Sequence, residues 1–296
     1  MNNEYLQWLL FPSKRSAKGR IYSLIYNAKR RELSKNSHSV EKVDDPHCVD
    51  IFVVSFNNYK VIQYQISLLK KYLVDPFHYI VFDNSTDESV AKEMQAICDR
   101  ESAGYVRLEK SKANKGSENH AIALNYIYHY WAKKRNAEYL AFLDHDIFLI
   151  KPYSIISKLH DQEFFGYFKQ EQSGIRYLWP GLSFFKASYL QGKHIDFMTY
   201  WKKGGDTGSS NYCSLYRNVP GFNLYKFADF KRINIIPGGN NPQGDVFSIM
   251  DNAWLHMLNA SKWNQTAENY DMKEQKVFSF LDDCCDGNSA LIQKYL

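Results

Sequence analysis

The chain has 296 residues, 45% of them hydrophobic and 16% aromatic, with a formal net charge of +5. That is enough apolar material for one large domain or two small ones, and it excludes an overall disordered chain. The charge is local: residues 1–35 carry eight basic side chains (Lys14, Arg15, Lys18, Arg20, Lys29, Arg30, Arg31, Lys35) against Glu4 and Glu32. The remaining body is close to neutral, so no nucleic-acid partner is expected.

In the first 35 residues the basic side chains sit among apolar Trp8, Leu9, Leu10, Phe11, Ile21, Leu24 and Ile25. Two readings stand side by side: an amphipathic arm on an anionic membrane surface, or a solvated helix packed on the body. No apolar run reaches the roughly 18 residues of a membrane span, and residues 5–11 are too short and wrongly flanked for a signal peptide. The expectation is a cytoplasmic protein, peripheral on the inner face of the plasma membrane if the arm binds lipid. Five cysteines (Cys48, Cys98, Cys213, Cys284, Cys285) show no metal-ligand spacing and read as reduced thiols. In that compartment the Asn-x-Ser/Thr triplets at Asn84, Asn259 and Asn264 carry no glycan.

Residues 36–47 are polar and aperiodic and read as a linker. From Cys48 onward, strands and helices alternate. A β-branched apolar run at 49–55 predicts a buried strand, and helical spacing of apolar residues over 59–73 predicts a helix ending before Pro76. The unit recurs as strand 78–83, helix 87–102, strand 104–108, helix 117–134 and strand 138–143. Such alternation predicts an α/β fold with a mainly parallel central sheet and helices on both faces. After Pro152 the rhythm breaks into short apolar runs at 164–168, 182–186, 233–236 and 246–249 between Gly- and Pro-rich loops, an irregular α+β half. Residues 269–296 read as one or two helices.

Ligands of such sheets sit beyond the carboxyl ends of the strands. Asp144 and Asp146, one residue apart where the strand 138–143 opens into a loop, can both reach one hard divalent cation, Mn²⁺ or Mg²⁺, of the kind that neutralises a diphosphate leaving group. Asp83-Asn84-Ser85-Thr86-Asp87 follows the second strand. Ser85 or Thr86 would cap the next helix, and a strand-end carboxylate could accept a hydrogen bond from the imide N–H of uracil. Asn114-Lys115-Gly116 opens the third helix, whose free N–H groups suit phosphate.

With these segments in view, residues 49–152 resemble the nucleotide-binding half of GT-A glycosyltransferases, family 2 and its relatives. Ser55-Phe56-Asn57 looks like the family's first strand end, Asp83-Asn84-Ser85-Thr86-Asp87 like its second, Asn114-Lys115-Gly116 with Ala121, Ala123 and Asn125 like its Asn-x-Gly helix start, and Asp144-His145-Asp146 like its Asp-x-Asp. The resemblance implies a GT-A (Rossmann-like) fold and a transferase that moves a sugar from a nucleoside-diphosphate sugar, UDP favoured, to a hydroxyl of a glycan or lipid-linked acceptor. It implies a nucleotide site of Ser55, Asn57, Asp83, Asn84, Asn114, Gly116, Asp144, His145 and Lys262, with Asp83 on the base. It also implies a Mn²⁺ or Mg²⁺ site of Asp144, Asp146 and a late His, His256. The expected layout is a basic arm and linker at 1–47, a nucleotide-sugar-binding half at 48–152, a donor-sugar and acceptor half of the same domain at 153–268, and C-terminal helices at 269–296.

Inverting transfer needs a carboxylate to take the acceptor proton. Asp206, in the glycine-rich stretch Gly204–Gly208, is the expected base, with Asp245 and Asp251 as rivals, and Trp179 and Gly181 are expected to wall the donor sugar or acceptor. His256, Lys262 and Trp263 also resemble the His-x-x-Gly-x-x-Lys-Pro-Trp segment of retaining family 8 enzymes, although Asn259 replaces the Gly and the Pro is absent. Two further alternatives are a nucleotidyltransferase, which lacks its Gly-rich basic loop at Phe56-Asn57-Asn58-Tyr59, and a non-catalytic binding protein on the same scaffold.

Overall fold

The computed structural model describes residues 14–29, 32–40, 45–113, 116–234, 246–258, 260 and 267–287. Asn114, Asp245, Lys262 and Trp263 lie outside them. In chain order the elements are α1 (Lys14–Ala28), β1 (Glu32–Lys35), β2 (Val49–Ser55), α2 (Tyr59–Tyr72), β3 (Phe77–Asp83), α3 (Glu88–Arg100), β4 (Gly104–Leu108), α4 (Gly116–Tyr130) and β5 (Tyr139–Asp144). There follow β6 (Ile147–Leu149), β7 (Phe164–Gln170), β8 (Arg176–Lys186), β9 (Phe230–Asn234), β10 (Val246–Met250), β11 (Trp254–His256) and α5 (Ala267–Asp286), with short single-turn helices between them.

Seven strands form one sheet in the order β1-β4-β3-β2-β5-β8-β7, and β4, β3, β2 and β5 are mutually parallel. This is the α/β architecture that the alternation predicts. Every residue of β2 is buried, because the strand is covered on both faces. Ile51 and Val53 point into a core with α2 and α3, whereas Phe52 and Val54 point into a second core with α4. Each such side chain contributes about 1.5–3 kcal/mol on leaving water. The helices follow their apolar stripes: α2 buries Val61, Ile62, Ile66, Leu68 and Leu69, and α3 buries Ala91, Met94, Ile97 and Cys98. The cap of α3 is Asp87, which accepts from Ser89 N at 2.8 Å, rather than Ser85 or Thr86.

The N-terminal region departs from the sequence reading in its linker and follows the packed-helix alternative in its helix. The segment 36–47 is not free linker at its start. β1 adds antiparallel to β4, and the Asn36 side chain donates to Ala103 O at 2.9 Å and accepts from Tyr105 N at 2.9 Å. These polar groups tie residues 36–40 to the sheet edge, a bond pattern that composition does not reveal. Helix α1 lies against α4, where Asn125 Nδ2 donates to Ser23 Oγ at 3.3 Å and Tyr26 meets Tyr126 edge-on. The continuously buried run 121–128 of α4 follows from being covered on one side by the sheet and on the other by α1.

The second half extends the first. β8 pairs antiparallel with β5, and β7 with β8. β6, reached from β5 across Asp144-His145-Asp146, opens a second antiparallel sheet, β6-β11-β10-β9. The C-terminal segment holds one described helix, α5, which packs on α2 with Tyr64 stacked on Phe278 at 4.9 Å.

Candidate active site

Parallel strand order runs outward from β2 to β4 on one side and to β5 on the other, so the chain reverses its direction of travel between β2 and β5. Crevices of α/β sheets open at such a point. Register sets Ser55 beside Asp83 and Val54 beside Asp144, which levels three of the expected site residues at the carboxyl edge.

The Asp144-His145-Asp146 turn joins the two sheets and is held from several sides. Gln65 of α2, buried, donates to Asp144 O at 2.9 Å and Ile147 O at 2.6 Å, clamping both ends of the turn. Pairing of β6 with β11 puts His256 opposite Ile147, and Met257 N donates to Asp146 O at 2.9 Å. A histidine 110 residues downstream thus arrives next to Asp146, with Nε2 at 3.5 Å from Oδ1. Asp146 Oδ2 also accepts from Ala260 N at 3.2 Å.

One ligand atom each from Asp144, Asp146 and His256 lies within 4.8 Å of the others. The set is two carboxylates and an imidazole, which suits Mn²⁺ or Mg²⁺. Asp144 Oδ1 is buried with no hydrogen-bond partner, the kind of orphaned acceptor a cation satisfies. Burial, and then the charge of Asp146, push Asp144 up to about 7. Burial also works against the charge of Asp146, but His256, His145 and the Ala260 N–H outweigh it and hold that carboxylate well below the usual range. The two acids share one negative charge more easily than two, and a divalent cation removes the conflict. Burial lowers His145, between them, while the charge of Asp146 works against that shift.

Around this centre the structure gathers side chains from both halves. Trp179 lies with its ring centroid 5.0 Å from that of His256. The six-membered ring of its indole occupies the space a Gly181 Cβ would fill, so the glycine makes room for the tryptophan. Lys169 Nζ is 5.8 Å from the Trp179 centroid and 3.3 Å from Asp206 Oδ2. The Asp206 carboxylate is close enough to raise both Asp144 and His120. Thr207 Oγ1 reaches Ser117 O at 3.4 Å, so the 204–208 loop sits over the start of α4 and Gly116. His120, one turn into α4, has Nε2 3.4 Å from Asp144 Oδ1, and burial lowers it to about 4.

Other expected residues hold the strand ends and loops together. Asn57, at φ 46°, accepts from Thr86 N at 2.8 Å and donates to Thr86 Oγ1 at 3.0 Å. Its amide therefore clasps the β2 and β3 loops together. Asp83 is fully buried: Oδ1 accepts from Ser85 N at 2.9 Å, and Oδ2 accepts from Tyr105 OH at 2.8 Å and Arg107 Nη1 at 2.9 Å. Asn84 is buried and its N–H donates to Ser55 O at 2.9 Å. The Ser55 hydroxyl is buried without a partner. Asp251, a rival base, is bound instead by Tyr153 OH at 2.6 Å and Lys158 at 2.7 Å.

No family model matches the chain, and no curated protein does. Solved structures give partial likenesses. A mannosyltransferase from Pyrobaculum calidifontis in complex with GDP-Man and Mn²⁺ is 14% identical over 60% of this chain and 55% of its own, with a TM-score of 0.34. Staphylococcus aureus TarS is 17% identical over 51% of this chain and 30% of its own, at 0.35. A core-mannan synthase from Aspergillus fumigatus in its Mn/GDP form is 8% identical over 53% of this chain and 64% of its own, at 0.35. The chain thus spans less than two thirds of each.

Proposed function

We propose that this chain is a metal-dependent glycosyltransferase of the GT-A type, acting on a nucleoside-diphosphate sugar, UDP-linked by preference, and a glycan or lipid-linked hydroxyl acceptor. The observation that carries the reading is the convergence of Asp144, Asp146 and His256 at the switch point of a parallel sheet. Mn²⁺ or Mg²⁺ held there supplies charge neutralisation for a departing diphosphate. The first turn of α4 adds N–H groups facing an anion, and Lys169 adds a cation in the position for which Lys262 was the sequence candidate. Trp179 offers an aromatic face to a sugar ring. Asp206, 43% exposed and salt-bridged to Lys169, is the base that accepts the acceptor proton in an inverting displacement.

The test is release of nucleoside diphosphate from a panel of UDP- and GDP-sugars with Mn²⁺ or with EDTA. Mn²⁺-dependent release from at least one donor is expected. Asp206→Asn should still gain thermal stability from that donor but lose transfer; release unaffected by EDTA counts against the metal role, and full transfer by Asp206→Asn against the base.

The setting proposed for this chemistry is the cytoplasmic face of a membrane. Among the described residues no helix is long and apolar enough to cross a membrane. The outer face of α1 nevertheless exposes Ile21 (56%), Leu24 (70%) and Ile25 (46%), beside exposed Lys18 and Lys29. Apolar and cationic groups on one helix face suit an anionic lipid surface. The inner face of α1 is keyed by Arg20 to Asp196 at 3.7 Å and Ser210 at 3.4 Å, on the segment that flanks the Asp206 loop, which would set a lipid-linked acceptor near the site. Co-sedimentation with phosphatidylserine vesicles is expected for the intact chain and should fall at least about tenfold in Ile21→Glu/Leu24→Glu, since each charge opposes insertion. Equal sedimentation of both proteins contradicts the surface.

A further inference from the structure

A second group of metal-type donors lies at the other end of the sheet. Cys48 immediately precedes β2 and Asp50 is two residues on, so strand alternation turns both to one face. Register sets Asp50 beside His78 of β3. His78 Nδ1 is 2.9 Å from Cys48 Sγ and 3.2 Å from Asp50 Oδ1. All three donor atoms fall within 4.8 Å of one another.

We propose that Cys48, Asp50 and His78 form a second, structural metal site that takes a thiophilic divalent cation, Zn²⁺ being the matching species. The donor set decides the cation: a thiolate with an imidazole selects zinc, whereas the carboxylate-rich centre at Asp144 suits Mn²⁺ or Mg²⁺. Tetrahedral zinc with bonds of about 2.0–2.3 Å holds its ligand atoms about 3.3–3.6 Å apart. The observed spacings are shorter by tenths of an ångström, so a small opening of two side chains accommodates the ion.

Arg135 supplies the support that ligating carboxylates commonly have. Its Nε donates to Asp50 Oδ2 at 2.5 Å and its Nη2 to Oδ1 at 3.3 Å, which fixes the carboxylate while Oδ1 faces the imidazole. The guanidinium opposes a cation, but metal takes its ligands as thiolate, carboxylate and neutral imidazole and releases their protons, so in the occupied site two negative ligands face the one guanidinium. Cys48 and Asp50 are buried and the His78 side chain is 32% exposed, so the ion has a way in and a place for a water as fourth ligand. The site lies four to six residues back along the strands from Asp144, roughly 13–20 Å. Its effect is to clamp β2 to β3, not to act on substrate. Cysteine spacing alone misses it because one ligand comes from the neighbouring strand.

The experiment measures bound metal by mass spectrometry on the wild type, Asp146→Asn, Cys48→Ser and the double variant, each equilibrated with buffered Zn²⁺ and gel-filtered. About one Zn²⁺ per chain is expected in Asp146→Asn, falling to under about a tenth in the double variant. Co²⁺ added to wild type should give the near-ultraviolet thiolate-to-metal band, absent in Cys48→Ser, a readout that survives even if a variant folds poorly. Folded wild type that retains no zinc and gives no such band overturns the proposal, as does a Cys48→Ser protein with unchanged zinc content; the four residues are then only a hydrogen-bonded network. Turnover at Asp144 plays no part in the result.

Discussion

Asp146→Asn is expected to lower Mn²⁺-supported transfer by about 10²–10³-fold, or ~3–4 kcal/mol of barrier. Asparagine keeps the shape of the side chain and its acceptor for Ala260 N, so the turn held by Gln65 and Met257 should persist. What goes is the charge that His256 and its neighbours keep ionised. The loss is not total, because removing Asp146 also removes one of the causes that raise Asp144 to about 7, and a more readily ionised Asp144 remains with His256. Mn²⁺ affinity by calorimetry and nucleoside-diphosphate release on the same preparations check this together. A variant that folds, binds Mn²⁺ as before and turns over within about threefold of wild type would remove Asp146 from the metal set.

Legibility in the sequence followed the physics of each element. β2 to β5 and the three helices between them could be read because both sheet faces are covered, two of the helices carry one apolar stripe each and the third, α4, is a long apolar stretch buried on two sides. β8 was harder: it runs through Trp179-Pro180-Gly181, and proline normally marks a strand's edge or end. The structure tolerates it because β7 and β8 lose register between Gly166 and Phe168, so residues 179–181 face no regular ladder on that side. Gly166, at φ 152° with Leu182 O where a Cβ would be, allows that irregularity, and no local pattern announces it.

The candidate site divides in the same way. Asp144 and Asp146 were visible because a strand end and a loop coincide in one short motif. His256 was placed only by its order in the chain; pairing of β6 with β11 is the cause, and that pairing is long-range. His120, one turn into α4, has no sequence signal, because a histidine on a helix has no local mark of what it faces. Lys169 and Gln65 carried no signal, one being the polar end of an apolar strand and the other a lone amide in an apolar helical stripe. The cation near Asp206 and the clamp under the metal turn are both products of packing.

Asp83→Asn is expected to destabilise the protein by about 3–5 kcal/mol, the cost of leaving a buried charge uncompensated. Asp83 is 0% and Arg107 9% exposed, so the guanidinium left behind cannot be hydrated by a simple rotation. Glu88, 3.8 Å away but 74% exposed, is a weak substitute. An asparagine oriented to keep Ser85 N on its oxygen turns its NH₂ toward the Arg107 and Tyr105 donors, so donors face donors where one carboxylate oxygen had accepted two bonds. The sequence assigned Asp83 to the nucleotide base, and a base contact alone predicts a different result: unchanged stability with a raised KM for the sugar nucleotide. Denaturant unfolding of Asp83→Asn separates the two. Adding Arg107→Met to the variant should recover much of the stability, because replacing both members of a buried pair by groups of similar volume is far less costly than removing one. Recovery of stability without recovery of KM would assign Asp83 both roles, with Arg107 the group through which the carboxylate reaches the base pocket; a loss under about 1 kcal/mol in Asp83→Asn would sink the structural assignment.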